Sequence, residues 1–299
     1  MRHAASPHTG TINCRRIIGS SGGFFKAVFH LNIRDFLKKA QEALSFSPDA
    51  DIEAVWLVEE CLSLPRSRVR TNLLRQLTEA EEASLTDALT KRVSGMPIQY
   101  IFRRAPFMGY EFYVDERVLI PRMDTENLCD AAYNYISRKR GAKVLDLCAG
   151  SGAIGISLKK MCPHISLTLS DISPDAGEVQ KINAAGLTDV EILTGDMFDT
   201  VAGRKFDLIV CNPPYIPSRD IPGLQAEVLR EPSLALDGGD DGLDFYRQLA
   251  ENHRLYLNEG GRIYMEIGYD QAEAVCALFE GASVIKDLNG LDRIVWTEV

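Results

Sequence analysis

Val144-Leu145-Asp146-Leu147-Cys148-Ala149-Gly150-Ser151-Gly152-Ala153-Ile154-Gly155 joins a short apolar run to a glycine-rich turn and then to a helical pattern. Glycine lets the backbone turn sharply and approach a ligand, and the helix that follows offers free N–H groups at its start. Gly150, Gly152 and Gly155 satisfy the G-x-G-x-x-G fingerprint of a dinucleotide site. Asp171, 21 residues past Gly150, ends the next strand-like run, where a carboxylate would hold ribose hydroxyls. On this segment alone, a nicotinamide dinucleotide and S-adenosylmethionine fit almost equally. Asp146 begins to separate them. It lies inside the strand, where a buried carboxylate is costly without a partner, and a methionine ammonium group supplies one directly or through water.

The second discriminating feature is Asn212-Pro213-Pro214-Tyr215, placed after Phe206–Cys211, which reads as the fourth strand. In open α/β sheets, ligands bind at the carboxyl edge. Two consecutive prolines fix φ, lack N–H groups and push each preceding residue to an extended conformation, so the loop is stiff. Hydride transfer has no need of such a loop. An amide or aromatic amine nitrogen does, because its delocalised lone pair makes it a weak nucleophile. Asn212 Oδ1 and the Pro213 carbonyl can each accept one of its N–H groups, and Tyr215 can stack on the planar group and exclude water. Methyl transfer then requires mainly proximity and alignment, with no metal and no covalent enzyme intermediate. The expected catalytic residues are Asn212, Pro213 and Tyr215.

Working outward, strand-like runs at Val144–Leu147, Ser166–Leu169, Val190–Leu193, Leu208–Val210 and Arg262–Ile267 alternate with helices starting near Ala153, Pro174, Asp241 and Gln271. This alternation predicts a mostly parallel sheet covered on both faces. Ser173 and Pro174 cap and start the helix after Asp171. Thr194-Gly195-Asp196-Met197-Phe198 follows the third strand, so Asp196 or Met197 borders an adenine, or Asp196 is a plain turn residue.

Ahead of the sheet, Ile33, Phe36, Leu37, Ala40 and Leu44 repeat at helical spacing, as do Ile52, Val55, Val58 and Leu62. Thr78 with Glu81 forms a capping-box signature for a helix running to about Arg92. Aromatic and β-branched residues over Tyr100–Val118, broken at Met108-Gly109, predict a hairpin. The expected organisation is an extension over 1–30, a helical domain over 31–98, a β-hairpin linker over 99–120 and an α/β domain over 121–299.

Residues 1–34 carry five basic side chains and no acidic one, leaving 28 basic against 42 acidic residues in the remainder, a net −14. Such a body repels a polyanion, which counts against a nucleic-acid substrate. The basic, serine-containing start is read as an extension outside the fold or as an organelle-targeting segment. No apolar run approaches the roughly 18–20 residues needed to cross a bilayer. The seven cysteines are scattered without a Cys-x-x-Cys pair, and three of five histidines lie in the first thirty residues. A reduced compartment without structural zinc follows, and histidine-based catalysis is not expected. The cytoplasm is the expected location, or an organellar matrix if the start is a targeting segment. Two complementary domains need no symmetric partner, so a monomer is expected.

With these residues in hand, the chain resembles the peptide chain release factor N5-glutamine methyltransferases, the HemK-like family, over nearly all of residues 31–299. The resemblance rests on Pro97-Ile98-Gln99-Tyr100-Ile101, Leu119-Ile120-Pro121-Arg122, the glycine loop, Asn212–Tyr215, Asp292-Arg293 and above all Glu231-Pro232-Ser233-Leu234-Ala235-Leu236-Asp237-Gly238-Gly239. Asp241-Gly242-Leu243-Asp244-Phe245-Tyr246-Arg247 continues that last run. The resemblance implies a class I S-adenosylmethionine-dependent methyltransferase: a Rossmann-like, seven-stranded, mostly parallel α/β sheet behind an all-α N-terminal domain and a β-hairpin linker. It implies methylation of the glutamine side chain in the Gly-Gly-Gln motif of translation release factors. Cofactor contacts would fall on Cys148, Ala149, Gly150, Ser151, Gly152, Asp171, Met197 and Asn212, and substrate contacts on Asn212, Pro213, Pro214 and Tyr215. The helical domain would help dock the release factor. Where the family commonly has Pro-Glu-Thr-Glu and a tryptophan, this chain has Met123-Asp124-Thr125-Glu126 and Met197. The competing readings are an adenine-N6 DNA methyltransferase sharing the Asn-Pro-Pro-Tyr loop, an NAD-dependent oxidoreductase, and a non-enzymatic partner-binding protein.

Overall fold

A computed structural model describes residues 31–299. The basic stretch 1–30, with its reading as an extension or targeting segment, lies outside the described residues. Five helices come first: α1 (Ile33–Ala43), α2 (Ala50–Leu62), α3 (Arg66–Thr71), α4 (Glu79–Val93) and α5 (Ile98–Phe102). Ile33, Phe36, Ala40 and Leu44 from the first share one buried cluster with Leu57, Val58, Leu85 and Leu89. Ile52, expected on the apolar face of α2, is instead half exposed, and Ala54 takes the buried position.

The capping box forms as the sequence indicates. The Thr78 hydroxyl accepts the Glu81 N–H at 3.3 Å and Glu81 accepts the Thr78 N–H at 2.9 Å. Thr78→Ala is expected to lower unfolding stability by about 1 kcal/mol, read as a shifted urea midpoint with methyl transfer unchanged. An unshifted midpoint would mean that tertiary packing alone holds the start of α4.

The hairpin is shorter than expected: β1 (Ala105–Phe107) and β2 (Tyr110–Phe112) pair antiparallel around Met108-Gly109. Tyr100–Phe102 is helical rather than extended. Pro97 begins that turn, Ile98 joins the helical cluster, and the Tyr100 hydroxyl donates to the Val118 carbonyl at 2.6 Å. Helical spacing satisfies both partners at once, which alternation would not.

The remaining elements are α6 (Glu126–Ile136), β3 (Lys143–Leu147), α7 (Ala153–Met161), β4 (Ser166–Asp171), α8 (Pro174–Asn183), β5 (Val190–Thr194), β6 (Phe206–Cys211), α9 (Asp244–Tyr256), β7 (Leu257–Glu266), α10 (Ala272–Cys276), β8 (Ser283–Lys286) and β9 (Asp292–Glu298). The helix expected from Asp241 starts at Asp244, because Asp241 instead accepts the Leu243 N–H in the turn before it. Seven strands form one sheet in the order β5-β4-β3-β6-β7-β9-β8. The first five are parallel; β9 runs antiparallel to β7, and β8 at the edge pairs antiparallel with β9, so that it shares the direction of the first five. Period-two alternation sends Val144, Leu208 and Val210 to the face covered by α6 and α7, and Leu145, Ile209 and Met265 to the face covered by α9.

The chain leaves β3 in one direction towards β4 and β5, and returns to β6 on its other side. That reversal opens a crevice at the carboxyl ends of β3 and β6, where doubly wound sheets hold ligands. The helical domain is fastened nearby. Arg92 of α4, only 2% exposed, pairs with Glu53 of α2 at 2.7 Å and with Glu227 of the segment between β6 and α9 at 2.6 Å.

Candidate active site

The register of the sheet dictates what meets at the crevice. Leu147 of β3 lies beside Cys211 of β6, and Cys211 lies beside Met265 of β7. The next residue of each strand, Cys148, Asn212 and Glu266, therefore reaches the same edge.

The glycine loop leaves β3 through alternating left-handed positions, with φ +56° at Cys148, +53° at Gly150 and +78° at Gly152. Nothing lies within 4 Å of the point where a side chain on Gly150 would begin, so the backbone is open to a ligand there. The Gly150 N–H donates to Asp171 Oδ2 at 2.7 Å, and the Ser173 N–H donates to Asp171 Oδ1 at 2.9 Å. Burial pushes the Asp171 carboxyl up, and these N–H groups pull it back towards the ionised form. Ser173 caps α8 by accepting the Ala176 N–H, with Pro174 in the first turn.

Cys148, Gly150, Asp171, Asp196, Met197 and Asn212 line one cavity of about 260 Å³, with Ile172, Leu234 and Phe245 among its apolar walls. Ala149 and Ser151 line a smaller adjoining one. Met197 sits at φ +39° with its sulfur 3.9 Å from Cys148 Sγ. Two non-glycine residues held at positive φ therefore meet in the wall, a concentration of strain typical of ligand sites. A carboxylate at the ribose position, open backbone at Gly150 and flat apolar walls fit a nucleoside with a charged tail. Among the described residues, no group of three or more His, Cys, Asp or Glu gathers as metal ligands. No helix there is long and apolar enough to cross a membrane.

Asp146 is placed differently from its neighbours. It is fully buried on the α7 side, where its Oδ2 accepts the Gly155 N–H at 2.8 Å, and it lines neither cavity. Burial pushes its carboxyl up to about 8; the Gly155 N–H pulls it down and the Asp171 charge adds to the rise. A folded-state value above the unfolded one of about 3.9 stabilises the protein below about pH 4, and that contribution is lost as the pH rises towards 8. Asp146→Asn does not titrate, so its stability relative to the natural protein is expected to improve by roughly 1.4 kcal/mol per pH unit across that window. Urea midpoints of both proteins at pH 5.5 and 7.5 measure it; a constant gap would show that Asp146 stays ionised.

Asn212 borders three cavities: the large one, the smaller one beneath the glycine loop, and a third of about 100 Å³ lined by Arg122, Pro213, Tyr215 and Glu266. Its Nδ2 donates to the Thr125 hydroxyl at 3.3 Å. Among the described residues, Asn212 Oδ1 and the Pro213 carbonyl accept no hydrogen bond. Burial pushes the Tyr215 phenol up to about 12, so it stays neutral. Pro214 faces the large cavity and Pro213 the third one, so the loop forms the wall between them.

The Glu231–Arg247 run braces this loop. The Glu231 carboxylate accepts the Ile120 N–H at 2.9 Å and pairs with Arg122. A side chain on Gly238 would meet the Tyr215 Cα at 2.8 Å, and one on Gly242 would meet the Tyr215 carbonyl oxygen at 2.3 Å. Gln271 donates to that same carbonyl at 3.0 Å. Sequence reasoning from residues alone passed over Thr125, Glu266 and Gln271. Glu266 did carry a signal, an acidic residue inside a buried apolar strand, which is the same anomaly that drew attention to Asp146.

Residues 35–102 match the PrmC N-terminal domain and residues 129–239 the Methyltransferase small domain. The chain is 39% identical over 278 residues to a release factor glutamine methyltransferase of Clostridium acetobutylicum, covering 89% of this chain and 98% of the relative. It is 38% identical over 254 residues to the release factor glutamine methyltransferase of Geobacter sulfurreducens, covering 83% and 89%. Among solved structures, the hMettl16 catalytic domain in complex with a MAT2A 3'UTR hairpin aligns with a TM-score of 0.51 over 73% of this chain and 80% of that one. At 12% identity, that likeness is one of fold alone.

Proposed function

The chain belongs to the release factor glutamine methyltransferase family, and from that premise we propose that it methylates the side-chain amide nitrogen of the glutamine in the Gly-Gly-Gln motif of peptide chain release factors. When bound, S-adenosylmethionine supplies a methyl group made electrophilic by its sulfonium sulfur. Asp171 would hold the ribose and Cys148, Ala149, Gly150, Ser151 and Gly152 the charged tail, with Met197 against the base. The observation that carries the reading is that Asn212 stands in the wall common to the nucleoside-sized cavity and the third, amide-sized one.

Asn212 Oδ1 and the Pro213 carbonyl would each accept one N–H of the substrate amide. This orients the nitrogen and shifts electron density onto it. Tyr215, neutral and half-buried, would cover the planar amide and keep water out. Pro213 and Pro214 hold these acceptors in place without further ordering at the moment of reaction. The helical domain would grip the body of the release factor, and the body's net negative charge disfavours a DNA substrate.

The test is to incubate the purified full chain with radiolabelled S-adenosylmethionine, a release factor and plasmid DNA together. Label is expected on the release factor and is expected to vanish when the glutamine of its Gly-Gly-Gln motif is replaced by alanine. Label on DNA alone would overturn the assignment.

A further inference from the structure

Glu266 is the last residue of β7 and, by the strand register, the lateral neighbour of Asn212 at the end of β6. It is 2% exposed, lines the third cavity together with Asn212, Pro213 and Tyr215, and has its Oε2 buried without a hydrogen-bond partner among the described residues. Leaving a carboxylate there works against stability, and nothing in the packing of β7 requires one. Beside both stands the Thr125 hydroxyl, 4% exposed, which receives the Asn212 Nδ2–H at 3.3 Å and is close enough to Glu266 to lower its carboxyl.

On the reading that this site transfers a methyl group to an amide, we propose that Glu266 is a positioning residue: acting through Thr125, it fixes the Asn212 amide with Oδ1 turned to the acceptor cavity. The direction follows from counting protons. A hydroxyl has one hydrogen to give. An ionised Glu266 can only accept, so Thr125 gives its hydrogen to Glu266 and must receive one from its other neighbour. The Asn212 NH₂ end is therefore the end drawn towards Thr125, and Oδ1 is left for the substrate. A protonated Glu266 can donate to Thr125 instead. The Thr125 hydrogen is then released towards Asn212, and the opposite amide orientation becomes equally good.

The surroundings bear on the protonation state from every side. Burial raises the Glu266 carboxyl to about 7; the Thr125 hydroxyl, Arg293 of β9 and Arg122 lower it, and Asp124 raises it. Tyr215 and Tyr246 of α9, both pushed up, remain neutral. Arg293 pairs with Asp124 at 3.2 Å and Asp287 at 3.1 Å, which ties the turn carrying Thr125 to the last strand. The orienting chain is therefore complete above neutral pH and lost below it.

The experiment measures release factor methylation from pH 6 to 9 for the natural protein and for Glu266→Ala, Glu266→Gln, Thr125→Val and Thr125→Ser. In the natural protein, kcat is expected to fall as the pH drops through about 7, while KM changes little. Glu266→Ala and Thr125→Val are expected to lower kcat about tenfold or more with cofactor affinity retained. Glu266→Gln carries a donor beside its acceptor oxygen, as the protonated carboxyl does, so it is expected to stay at the low kcat of the acid limb across the whole pH range; Thr125→Ser recovers the threonine function. The side-chain amide resonances of Asn212 provide a second readout without substrate, titrating near neutrality in the natural protein and not in Glu266→Gln. An acid limb that survives in Glu266→Gln, undiminished turnover in Glu266→Ala or Thr125→Val, or Asn212 resonances indifferent to pH would each overturn the proposal. Failure of the natural protein to label the release factor would instead sink the substrate assignment, and the resonances would still decide the role of Glu266.

Discussion

Asn212→Ala is expected to lower turnover by about three orders of magnitude while cofactor affinity stays within about tenfold, roughly the value of one hydrogen bond. The asymmetry follows from what Asn212 touches. Its Oδ1 is one of two carbonyl acceptors presented to the substrate amide, and its Nδ2 is committed to Thr125. Alanine removes the acceptor, breaks the link to Thr125 and leaves the amide nitrogen free to rotate out of line. The ligand cavity loses little by comparison, because Asp171, Gly150 and the apolar walls remain. Single-turnover labelling measures the first effect, and calorimetric titration with S-adenosylhomocysteine the second. A variant that unfolds, or that binds cofactor a hundredfold more weakly, would show that Asn212 serves the cofactor rather than the acceptor.

Gly242→Ala is the second large effect, and it acts from outside both cavities. Gly242 sits at φ +77°, and a side chain there would lie 2.3 Å from the Tyr215 carbonyl oxygen and 2.8 Å from Gln271 Nε2. The left-handed conformation alone costs an alanine about 1 kcal/mol. The contact with backbone adds to this, because neither main chain can swing aside as a side-chain tip would. Total destabilisation of about 2–4 kcal/mol is expected. Tyr215 is pushed off the acceptor cavity, and transfer falls about a hundredfold. Gly141→Ala is the matched control, with φ +69° and open space within 4 Å; it bears the conformational cost alone and keeps its activity. Equal losses of transfer in the two variants would show that strain, not displacement of Tyr215, is responsible.

The glycine loop, the Asn-Pro-Pro-Tyr loop and the parallel strands were legible in the sequence because each rests on local chemistry: positive φ, fixed φ, or apolar runs bounded by turns. β8 and β9 escaped a reading from periodicity. The first is four residues long, mostly exposed and at the sheet edge, and the second runs against the direction set by the strand–helix alternation. Tyr100–Phe102 misled for a related reason, since β-rich composition yielded to two tertiary partners. In the site, Thr125 and Asn212 are 87 residues apart and Gln271 and Tyr215 are 56 apart. Only the tertiary fold, which sets the turns before α6 and α10 against the carboxyl edge of the sheet, brings such pairs together. The Glu231–Arg247 run showed its importance through family resemblance alone. Its physical reason is that Gly238 and Gly242 lie against the backbone of the loop they brace.

Arg92 has a consequence for engineering hybrids. One guanidinium satisfies Glu53 within its own domain and Glu227 in the segment leading to Glu231 and the cavity wall. A chimera that borrowed the helical domain from a relative would have to import both a matching cation and a compatible acid across the seam. Without them, Glu227 would lose the buried cation it meets at the seam. The two domains are therefore coupled through this one triad, and exchange of substrate preference between relatives is expected to succeed only when the graft carries both sides of it.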